Sequence, residues 1–227
     1  MKLRVAALIM AGGKSQRFGK NVEKPTVKLN GKSFIQRVIE AAKESKKVSE
    51  VYVAVTKFNP KTADAAEKIS AKVITTEGKG YHSDLQQAIK EAKLNGPVLV
   101  ISSDLPLLSG KFLDKAISRY EEIGKSALVV LVPVEACYKY GINPTSFYEH
   151  KGKEYAVSGI NIIDGQQIIK GQPLTEEQPQ ETFISTRPEA LFNINTSSDL
   201  KAAKRYLQSK KRTRSQKLRA HRRETTS

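Results

Sequence analysis

The segment Val5–Pro25 reads VAALIMAGGKSQRFGKNVEKP, an apolar run that leads into a glycine-rich and basic loop. Val5–Met10 has the length and the uniformly apolar character of a strand that is buried on both faces of a parallel sheet. The run stops at Ala11-Gly12-Gly13, and adjacent glycines let backbone N–H groups approach an anion closely. The segment therefore predicts an anion-binding loop at the carboxyl end of a strand, where α/β sheets bind their ligands.

Strand-like and helix-like segments alternate from this first strand onward. Further strands are predicted at Val51–Val55, Val73–Ile74, Val98–Ile101 and Ala127–Val132, and helices at Ser33–Lys47, Pro60–Ile69, Tyr81–Leu94 and Lys111–Ile123. Such alternation is typical of an α/β fold with a mostly parallel central sheet that helices cover on both faces.

The alternation breaks after Pro133. Residues 136–153 are rich in Tyr, Pro, Gly and charge, which predicts an excursion with a small hairpin. The last elements are predicted as strands at Tyr155–Ile163, Phe183–Ser185 and Leu191–Ile194 and a helix at Asp199–Leu207. From Ser209 onward apolar residues nearly vanish. We therefore predict one domain over residues 1–208 and a basic, disordered tail over residues 209–227.

The charge of the chain is unevenly spread. Its 227 residues include 39 Lys and Arg against 23 Asp and Glu, a net charge of +16, and the last eighteen residues carry +7 of it. Such a tail favours weak contact with nucleic acid or acidic surfaces, or simply keeps a protein in solution. The single cysteine, Cys137, excludes an intramolecular disulfide and fits a reducing compartment. Because no run approaches about 18 apolar residues, we expect no membrane span and a cytoplasmic protein.

Polar side chains around the glycine loop fit the phosphates of a nucleotide. Ser15, Arg17 and Lys24 add donors and positive charge beside Gly12 and Gly13. The spacing differs from the dinucleotide fingerprint G-x-G-x-x-G, because the glycines are adjacent. It also differs from a Walker A loop, since no G-K-[ST] follows at the required distance.

Asp104 directly follows the predicted strand Val98–Ile101 and Ser102-Ser103. A carboxylate at the carboxyl edge of the sheet is well placed to hold Mg²⁺ against phosphate oxygens. An aspartate that caps a helix or forms a turn would give the same pattern. In the predicted strand Leu191–Ile194, Asn193 and the following Asn195 would share one face, or the two amides could cap the next helix.

The arrangement A-G-G-x-S-x-R-x-G followed by K-P resembles the signature of nucleotidyltransferases related to the molybdenum cofactor guanylyltransferases and the sugar-phosphate nucleotidyltransferases. Later segments are similar to those of the archaeal GTP:adenosylcobinamide-phosphate guanylyltransferases. They are Thr75–Leu85 (TTEGKGYHSDL), Val100–Asp104, Ala156–Ile163 (AVSGINII) and Phe192–Thr196 (FNINT). The resemblance runs from about Ala7 to Leu207, and it implies a Rossmann-like, three-layer nucleotidyltransferase fold.

The resemblance also implies an activity and roles for residues. The activity is transfer of GMP from GTP to the phosphate of adenosylcobinamide phosphate, with Mg²⁺ as cofactor and release of pyrophosphate. Arg17, Lys24 and Asp104 would be catalytic, Asp104 and Asn195 would bind the metal, and Gly159 and Asn161 would lie near the acceptor. The nucleotide would contact Met10, Ala11, Gly12, Gly13, Lys14, Ser15, Arg17, Gly19, Lys24, Thr75, Gly78, Lys79, Gly80, Ser103 and Asp104.

Three alternatives stay open at this point. Two are enzymes of the same class, a molybdenum cofactor guanylyltransferase and a sugar-phosphate nucleotidyltransferase. The glycine loop and Asp104 fit these two reactions as well as guanylyl transfer to adenosylcobinamide phosphate. The third is a nucleic-acid-binding protein that acts through the basic tail. Uncovered sheet edges would also allow a homodimer.

Overall fold

The computed structural model describes residues 3–13, 18, 22–124, 126–171 and 180–224. The strands are β1 (Val5–Met10), β2 (Lys28–Leu29), β3 (Lys32–Ser33), β4 (Val48–Thr56), β5 (Lys72–Thr76), β6 (Pro97–Ser102), β7 (Ala127–Pro133), β8 (Phe147–His150), β9 (Lys153–Asp164) and β10 (Gln180–Ile184). The helices are α1 (Phe34–Glu44), α2 (Pro60–Glu67), α3 (Tyr81–Glu91), α4 (Gly110–Ile123), α5 (Val134–Lys139), α6 (Gly165–Ile169), α7 (Pro188–Leu191) and α8 (Ser197–Glu224).

In the described residues, β2 and β3 form a small antiparallel pair of their own, and the other eight strands form a mostly parallel sheet, as predicted. In the described ranges its order is β10-β7-β9-β6-β1-β4-β5, and β8 pairs with β9 beside this path. The pairs β6-β1, β1-β4, β4-β5 and β10-β7 are parallel. Only β9 runs against its neighbours β6, β7 and β8. The predicted hairpin in the excursion after Pro133 is therefore the β8–β9 pair.

Helices cover both faces of the sheet, so the fold has three layers. Alternate residues of β1 face opposite sides, as the period of a strand requires. Ile9 belongs to the core that includes Val38 of α1 and Phe112 of α4. Leu8 packs in a second core with Leu85 of α3 and Ile168 of α6. A strand between two helical layers has no solvent-facing side, which explains the uniformly apolar run Val5–Met10.

Helix α1 begins where the sequence predicts and ends earlier. The Ser33 hydroxyl accepts a hydrogen bond from the backbone N–H of Gln36 at 3.3 Å, the expected N-cap. The helix stops at Glu44 instead of Lys47, because Ser45 and Lys47 bind the Asp114 carboxylate of α4 at 2.7 and 3.1 Å. A contact with a distant helix, which local sequence does not reveal, therefore ends α1.

The predicted strand Leu191–Ile194 is wrong. Pro188 begins the short helix α7, which ends at Leu191, and the chain then runs without regular structure to Thr196. Proline is favoured in the first turn of a helix because its fixed φ suits that position. Helix α8 begins with a capping box, in which the Thr196 hydroxyl accepts from the Asp199 N–H and the Asp199 carboxylate accepts from the Thr196 N–H.

Helix α8 is also much longer than the predicted Asp199–Leu207. It continues to Glu224, so the basic residues 209–224 extend the helix where the sequence predicted disorder. The segment contains no Gly or Pro and is rich in Lys and Arg, which are good helix formers that prolong a helix once it has begun. The division into residues 1–208 and 209–227 stays a prediction. Across the described ranges, no helix is long and apolar enough to cross a membrane.

Candidate active site

A cavity of about 640 Å³ opens at the carboxyl edge of the sheet, beside the ends of β1, β4, β5 and β6. Its position agrees with the rule that open α/β sheets bind ligands beyond the carboxyl ends of their strands. Of the residues that the sequence assigned to a site, the cavity brings together Met10, Gly12, Gly13, Lys24, Gly78, Lys79, Gly80, Ser103, Asp104 and Asn195.

A cluster of three polar side chains lies in this cavity. The Lys24 ammonium is 2.6 Å from Asp104 Oδ2 and 3.1 Å from Asn195 Oδ1. Both members of the ion pair are mostly buried, with 17% of the Lys24 side chain and 10% of the Asp104 side chain exposed. The second carboxylate oxygen, Asp104 Oδ1, is buried and has no hydrogen-bond partner among the described residues. A buried carboxylate oxygen without a partner is costly, so it indicates a place where a ligand binds.

Main-chain hydrogen bonds bring the three residues of the cluster together from distant parts of the sequence. Lys24 and the buried Pro25 begin a single 3₁₀ turn, Lys24–Thr26. The Ile194 N–H donates to the Asp104 carbonyl at 2.9 Å, which fixes the two chain segments side by side. The Asn195 amide nitrogen donates to Asn193 Oδ1 at 3.0 Å, so the Asn195 amide oxygen turns toward Lys24.

The glycine loop after β1 is held against β4. The Ala11 N–H donates to the Ala54 carbonyl at 2.8 Å, and the Asn59 side chain donates to the Gly13 carbonyl at 3.1 Å. A Cβ on Gly12 would lie 2.8 Å from Thr56 Cγ2, closer than packed carbon atoms approach. Glycine is therefore required at this position by the tight contact between the loop and β4.

Part of the predicted phosphate loop cannot be placed. Lys14, Ser15, Arg17 and Gly19 lie outside the described residues, and their roles stay predictions. Ala11 is buried and does not line the cavity.

The second glycine segment, Gly78-Lys79-Gly80, is shaped by a carboxylate. Asp84 Oδ1 accepts hydrogen bonds from the N–H groups of Gly78 and Lys79 at 2.9 and 3.3 Å. Gly78 and Gly80 have φ values of +77° and +120°, which favour glycine. Thr75, predicted to contact the nucleotide, does not line the cavity, whereas its neighbour Thr76 does, and the role of Thr75 stays a prediction. Successive side chains of β5 point to opposite faces, so Thr75 is turned to solvent.

Tyr81 was not predicted as a site residue, although it lines the cavity. Tyr81 is 49% exposed at the mouth, and its hydroxyl is hydrogen-bonded to the side chain of Asn161. Burial of the hydroxyl, reinforced by the charge of Asp104, raises the pKa of Tyr81 to about 12, and the hydrogen bond to Asn161 opposes the shift. At neutral pH the group is therefore a neutral phenol that can donate a hydrogen bond.

The two predicted acceptor residues on β9 do not line the cavity themselves. Asn161 is connected to the cavity through its hydrogen bond with Tyr81. Gly159 has a φ of +89°, and a Cβ there would lie 2.9 Å from Ser102 Cβ. Packing against the end of β6 therefore explains this glycine, and the acceptor roles of both residues stay predictions.

The family model described as "MobA-like NTP transferase domain" matches residues 7–207, which include all the cavity-lining residues. The chain belongs to the MobA-like NTP transferase domain family.

Two relatives and one solved structure are also similar to this MobA-like domain. The chain is 34% identical to an adenosylcobinamide-phosphate guanylyltransferase of Methanocaldococcus jannaschii, over 88% of this chain and 96% of that protein. It is 31% identical to a Thermococcus sibiricus protein named "Probable molybdenum cofactor guanylyltransferase", over 88% and 98%. The solved structure of a CMP:2-keto-3-deoxy-manno-octonic acid synthetase with CTP has a TM-score of 0.66 at 14% identity, over 91% of this chain and 99% of that chain. The last comparison shows the shared fold.

The polar cluster of the MobA-like domain has the donor set that a magnesium ion prefers. Mg²⁺ in nucleotide sites takes one or two carboxylates and completes its shell with water and phosphate oxygens. Asp104 offers a partnerless buried oxygen, and a cation, the Lys24 ammonium, already lies between the oxygens of Asp104 and Asn195. In the described ranges no three His, Cys, Asp or Glu side chains gather into a metal site. The cluster therefore fits an ion that substrate phosphates help to hold.

Three positioning residues were not predicted from the sequence. Glu23 accepts hydrogen bonds from the N–H groups of Lys61 and Thr62 at 3.1 and 2.7 Å, in the first turn of α2. Asp84 and Asp199 organise the segments around Gly78 and Asn195 in the same way. Glu23 binds backbone groups that are distant in sequence. Asp84 and Asp199 bind groups a few residues away, and a carboxylate near a helix N-terminus is a signal that the sequence contains.

We expect Glu23→Gln to loosen the attachment of Lys24 to α2. The amide is a weaker acceptor for the N–H groups of Lys61 and Thr62, so the free energy of unfolding should fall by about 1–2 kcal/mol. The KM for the nucleotide should rise more than kcat falls, because Lys24 would be less well positioned. Urea unfolding and initial-rate kinetics measure the two effects, with the exposed Glu91→Gln of α3 as control. A Glu23→Gln variant with unchanged stability and KM would show that Glu23 does not position Lys24.

Proposed function

We propose that the protein transfers GMP from GTP to the phosphate of adenosylcobinamide phosphate and releases pyrophosphate. The observation that carries nucleotidyl transfer is the Lys24–Asp104–Asn195 cluster between two glycine segments of one cavity. The choice of guanylyl group and acceptor rests on the likeness to the Methanocaldococcus jannaschii protein, which spans nearly the whole of both chains.

The proposed reaction requires the protein to align the two substrates and to neutralise their negative charge. An oxygen of the acceptor phosphate forms a bond to the α-phosphorus of GTP, and the bond from that phosphorus to the bridging oxygen breaks. The electron pair leaves with pyrophosphate. Because the acceptor phosphate is already ionised near neutral pH, no protein base and no covalent enzyme intermediate are needed. The rate then depends on positioning the reactants and on neutralising their negative charge.

Side chains of the cavity supply these requirements in the proposed reaction. Lys24, together with Arg17, stabilises the charge that grows on the leaving pyrophosphate. Asp104 and Asn195 would hold Mg²⁺, which when bound neutralises phosphate oxygens and lowers the cost of bringing two anions together. Tyr81, as a neutral phenol, donates a hydrogen bond without adding charge. The backbone of Gly12 and Gly13 leaves room for the phosphates to approach.

Substrate pairing tests the proposal. The protein is incubated with GTP, CTP, UTP or dTTP and with adenosylcobinamide phosphate, reduced molybdenum cofactor or a sugar 1-phosphate, and pyrophosphate release is followed. We expect release only with GTP and adenosylcobinamide phosphate. Release with GTP and the molybdenum cofactor alone would support the second enzyme instead, and release with a sugar phosphate the third. Absence of a GTP-dependent product with adenosylcobinamide phosphate would overturn the proposal.

The extended end of α8 is not expected to take part in this reaction. The cavity-lining residues precede it, and the part of α8 that packs on the domain lies earlier, at Ala202, Ala203 and Tyr206. We predict that a chain that stops after Gln208 keeps its guanylyltransferase kinetics. Any affinity of the full chain for nucleic acid should fall steeply with added salt and be lost in the shortened chain. Loss of turnover on shortening would show instead that the basic extension serves the active site.

A further inference from the structure

Phe58 is an exposed aromatic residue at the mouth of the cavity. It lies in the turn between β4 and α2, lines the cavity and is 49% exposed. A single exposed ring is ordinary on a protein surface. An exposed ring inside a concave polar site, however, offers a flat apolar face to a ligand that binds there. The exposure of Phe58 at this place therefore suggests a role in ligand binding.

All three aromatic residues that line the described part of the cavity have protein contacts, and at Phe58 the Lys57 ammonium lies 5.4 Å from the ring centroid. The Phe18 ring packs edge-on against the fully buried Phe34, with 6.4 Å between ring centroids. Tyr81 packs edge-on against His82 at 5.4 Å and binds Asn161 through its hydroxyl. A flat ligand would therefore have to disturb ring packing at Phe18 or Tyr81, whereas at Phe58 it would meet the exposed side chain of Lys57.

A buried network of hydrogen bonds fixes the backbone of Phe58 relative to the glycine loop after β1. The Phe58 N–H donates to the Thr56 hydroxyl at 3.3 Å, and this hydroxyl donates to Asn59 Oδ1 at 2.9 Å. Asn59 in turn donates to the Gly13 carbonyl at 3.1 Å. Thr56 and Asn59 are almost completely buried. The position of Phe58 is thus linked to that of the glycine loop before any ligand binds, which lowers the entropic cost of binding.

The neighbouring glycine segment keeps the ring accessible. A Cβ on Gly78 would lie 3.6 Å from Phe58 Cε2 and 3.4 Å from Thr56 Cγ2, in van der Waals contact with both. A side chain longer than alanine at this position would cover the edge of the ring. Gly78 also has a φ of +77°, so two independent requirements select glycine beside Phe58.

The sheet sets the distance between Phe58 and the polar cluster. Phe58 follows β4 and Gly78 follows β5, whereas Asp104 follows β6, two and three strands away in the sheet order. At about 4.8 Å per strand, this separation is roughly 10–14 Å. A nucleoside triphosphate whose phosphates lie at Asp104 and Lys24 would therefore bring its base to the region of Phe58.

We propose that Phe58 is the platform on which the base of the nucleoside triphosphate stacks. The inference rests on the proposed nucleotidyl transfer and adds a residue that determines nucleotide affinity. Stacking on an aromatic ring is tolerant of base identity because every base has a π-face. Phe58 therefore contributes affinity for the base without selecting among bases.

Binding of GTP and of inorganic tripolyphosphate to Phe58→Ala separates the base from the phosphates. We expect the Kd for GTP to rise about ten- to a hundredfold, the range of base–aromatic stacking, and the Kd for tripolyphosphate to stay unchanged. Calorimetry measures both. The control is Phe147→Ala on β8, where a ring that is 48% exposed lies outside the cavity. An unchanged Kd for GTP, or an equal loss of both ligands, would overturn the role of Phe58.

The chain contains no tryptophan, so Phe58→Trp gives a direct optical signal. We expect GTP to quench the fluorescence of Trp at this position and tripolyphosphate to leave it unchanged, whereas Phe147→Trp responds to neither. Equal responses of the two variants would contradict stacking at Phe58. If the unaltered protein binds tripolyphosphate but not GTP, the base site is overturned. If it binds neither ligand, the proposed nucleotidyl transfer fails, and the inference falls with it.

Discussion

Asp104→Asn is expected to lower the turnover number about a hundred- to a thousandfold, the cost of removing one group that stabilises charge in the transition state. The substitution preserves the shape of the side chain but removes the negative charge that faces Lys24 and the only carboxylate of the polar cluster. It also replaces the partnerless oxygen Oδ1 by an atom that binds a cation less strongly. Steady-state kinetics with saturating GTP and acceptor measure the effect.

The matched control for Asp104→Asn is Glu50→Gln. Glu50 also pairs with a lysine, Lys72 at 2.6 Å, but on the exposed surface of β4, with about half of each side chain open to solvent. Its turnover should be unchanged. Thermal unfolding of both variants shows whether a loss comes from the site or from the fold. A folded Asp104→Asn variant with near-normal turnover would remove Asp104 from the chemistry and from the metal role.

Lys24→Met is expected to have the second largest effect, on both rate and stability. Loss of the ammonium removes a charge that stabilises pyrophosphate, and turnover should fall about a hundredfold. It also leaves the buried Asp104 carboxylate without its cation. We expect the free energy of unfolding to fall by about 1–3 kcal/mol, since removing one partner of a buried pair leaves the other charge uncompensated. Kinetics and urea unfolding measure the two losses.

The double variant Lys24→Met with Asp104→Asn separates rate from stability. We expect it to be more stable than Lys24→Met alone, because no unpaired charge is left in the cavity, and yet to be inactive. The control is Lys72→Met, which breaks the exposed pair with Glu50 and should change stability by at most about 1 kcal/mol. Strictly additive losses in the double variant would show that Lys24 and Asp104 do not stabilise each other.

The sequence predicted the parts of the site that follow directly from strand ends. Gly12 and Gly13 come after β1 and Asp104 comes after β6, and parallel neighbours end at the same edge of the sheet. Their approach is a consequence of topology, which the alternation of strands and helices already indicates. Lys24 was expected beside the glycine loop from the residues themselves, and the metal role of Asn195 was assigned by family resemblance. The structure brings both side chains to Asp104.

The remaining errors and omissions come from contacts between distant segments. The interpretation of Asn193 and Asn195 as one face of a strand was wrong, although the two amides do touch, at 3.0 Å. Thr75 was assigned by family resemblance, and only the packing of β5 shows that Thr76 is buried and that Thr75 is exposed. Phe58 was not predicted as a site residue, because a single residue in the turn after β4 belongs to no periodic pattern of apolar residues.

By itself, the amino-acid sequence determined the α/β class, the mostly parallel sheet and the membership suggested by the glycine loop and the FNINT segment. These properties follow from local features of the sequence, namely the spacing of the apolar residues and the positions of the turn residues. Only the tertiary structure decided which polar groups meet. The Lys24 ammonium, the Asp104 carboxylate and the Asn195 amide come from three separate segments, and their contacts depend on main-chain hydrogen bonds such as Ile194 to Asp104. Distances of this kind arise from the packing of the whole chain, so no window of sequence contains them.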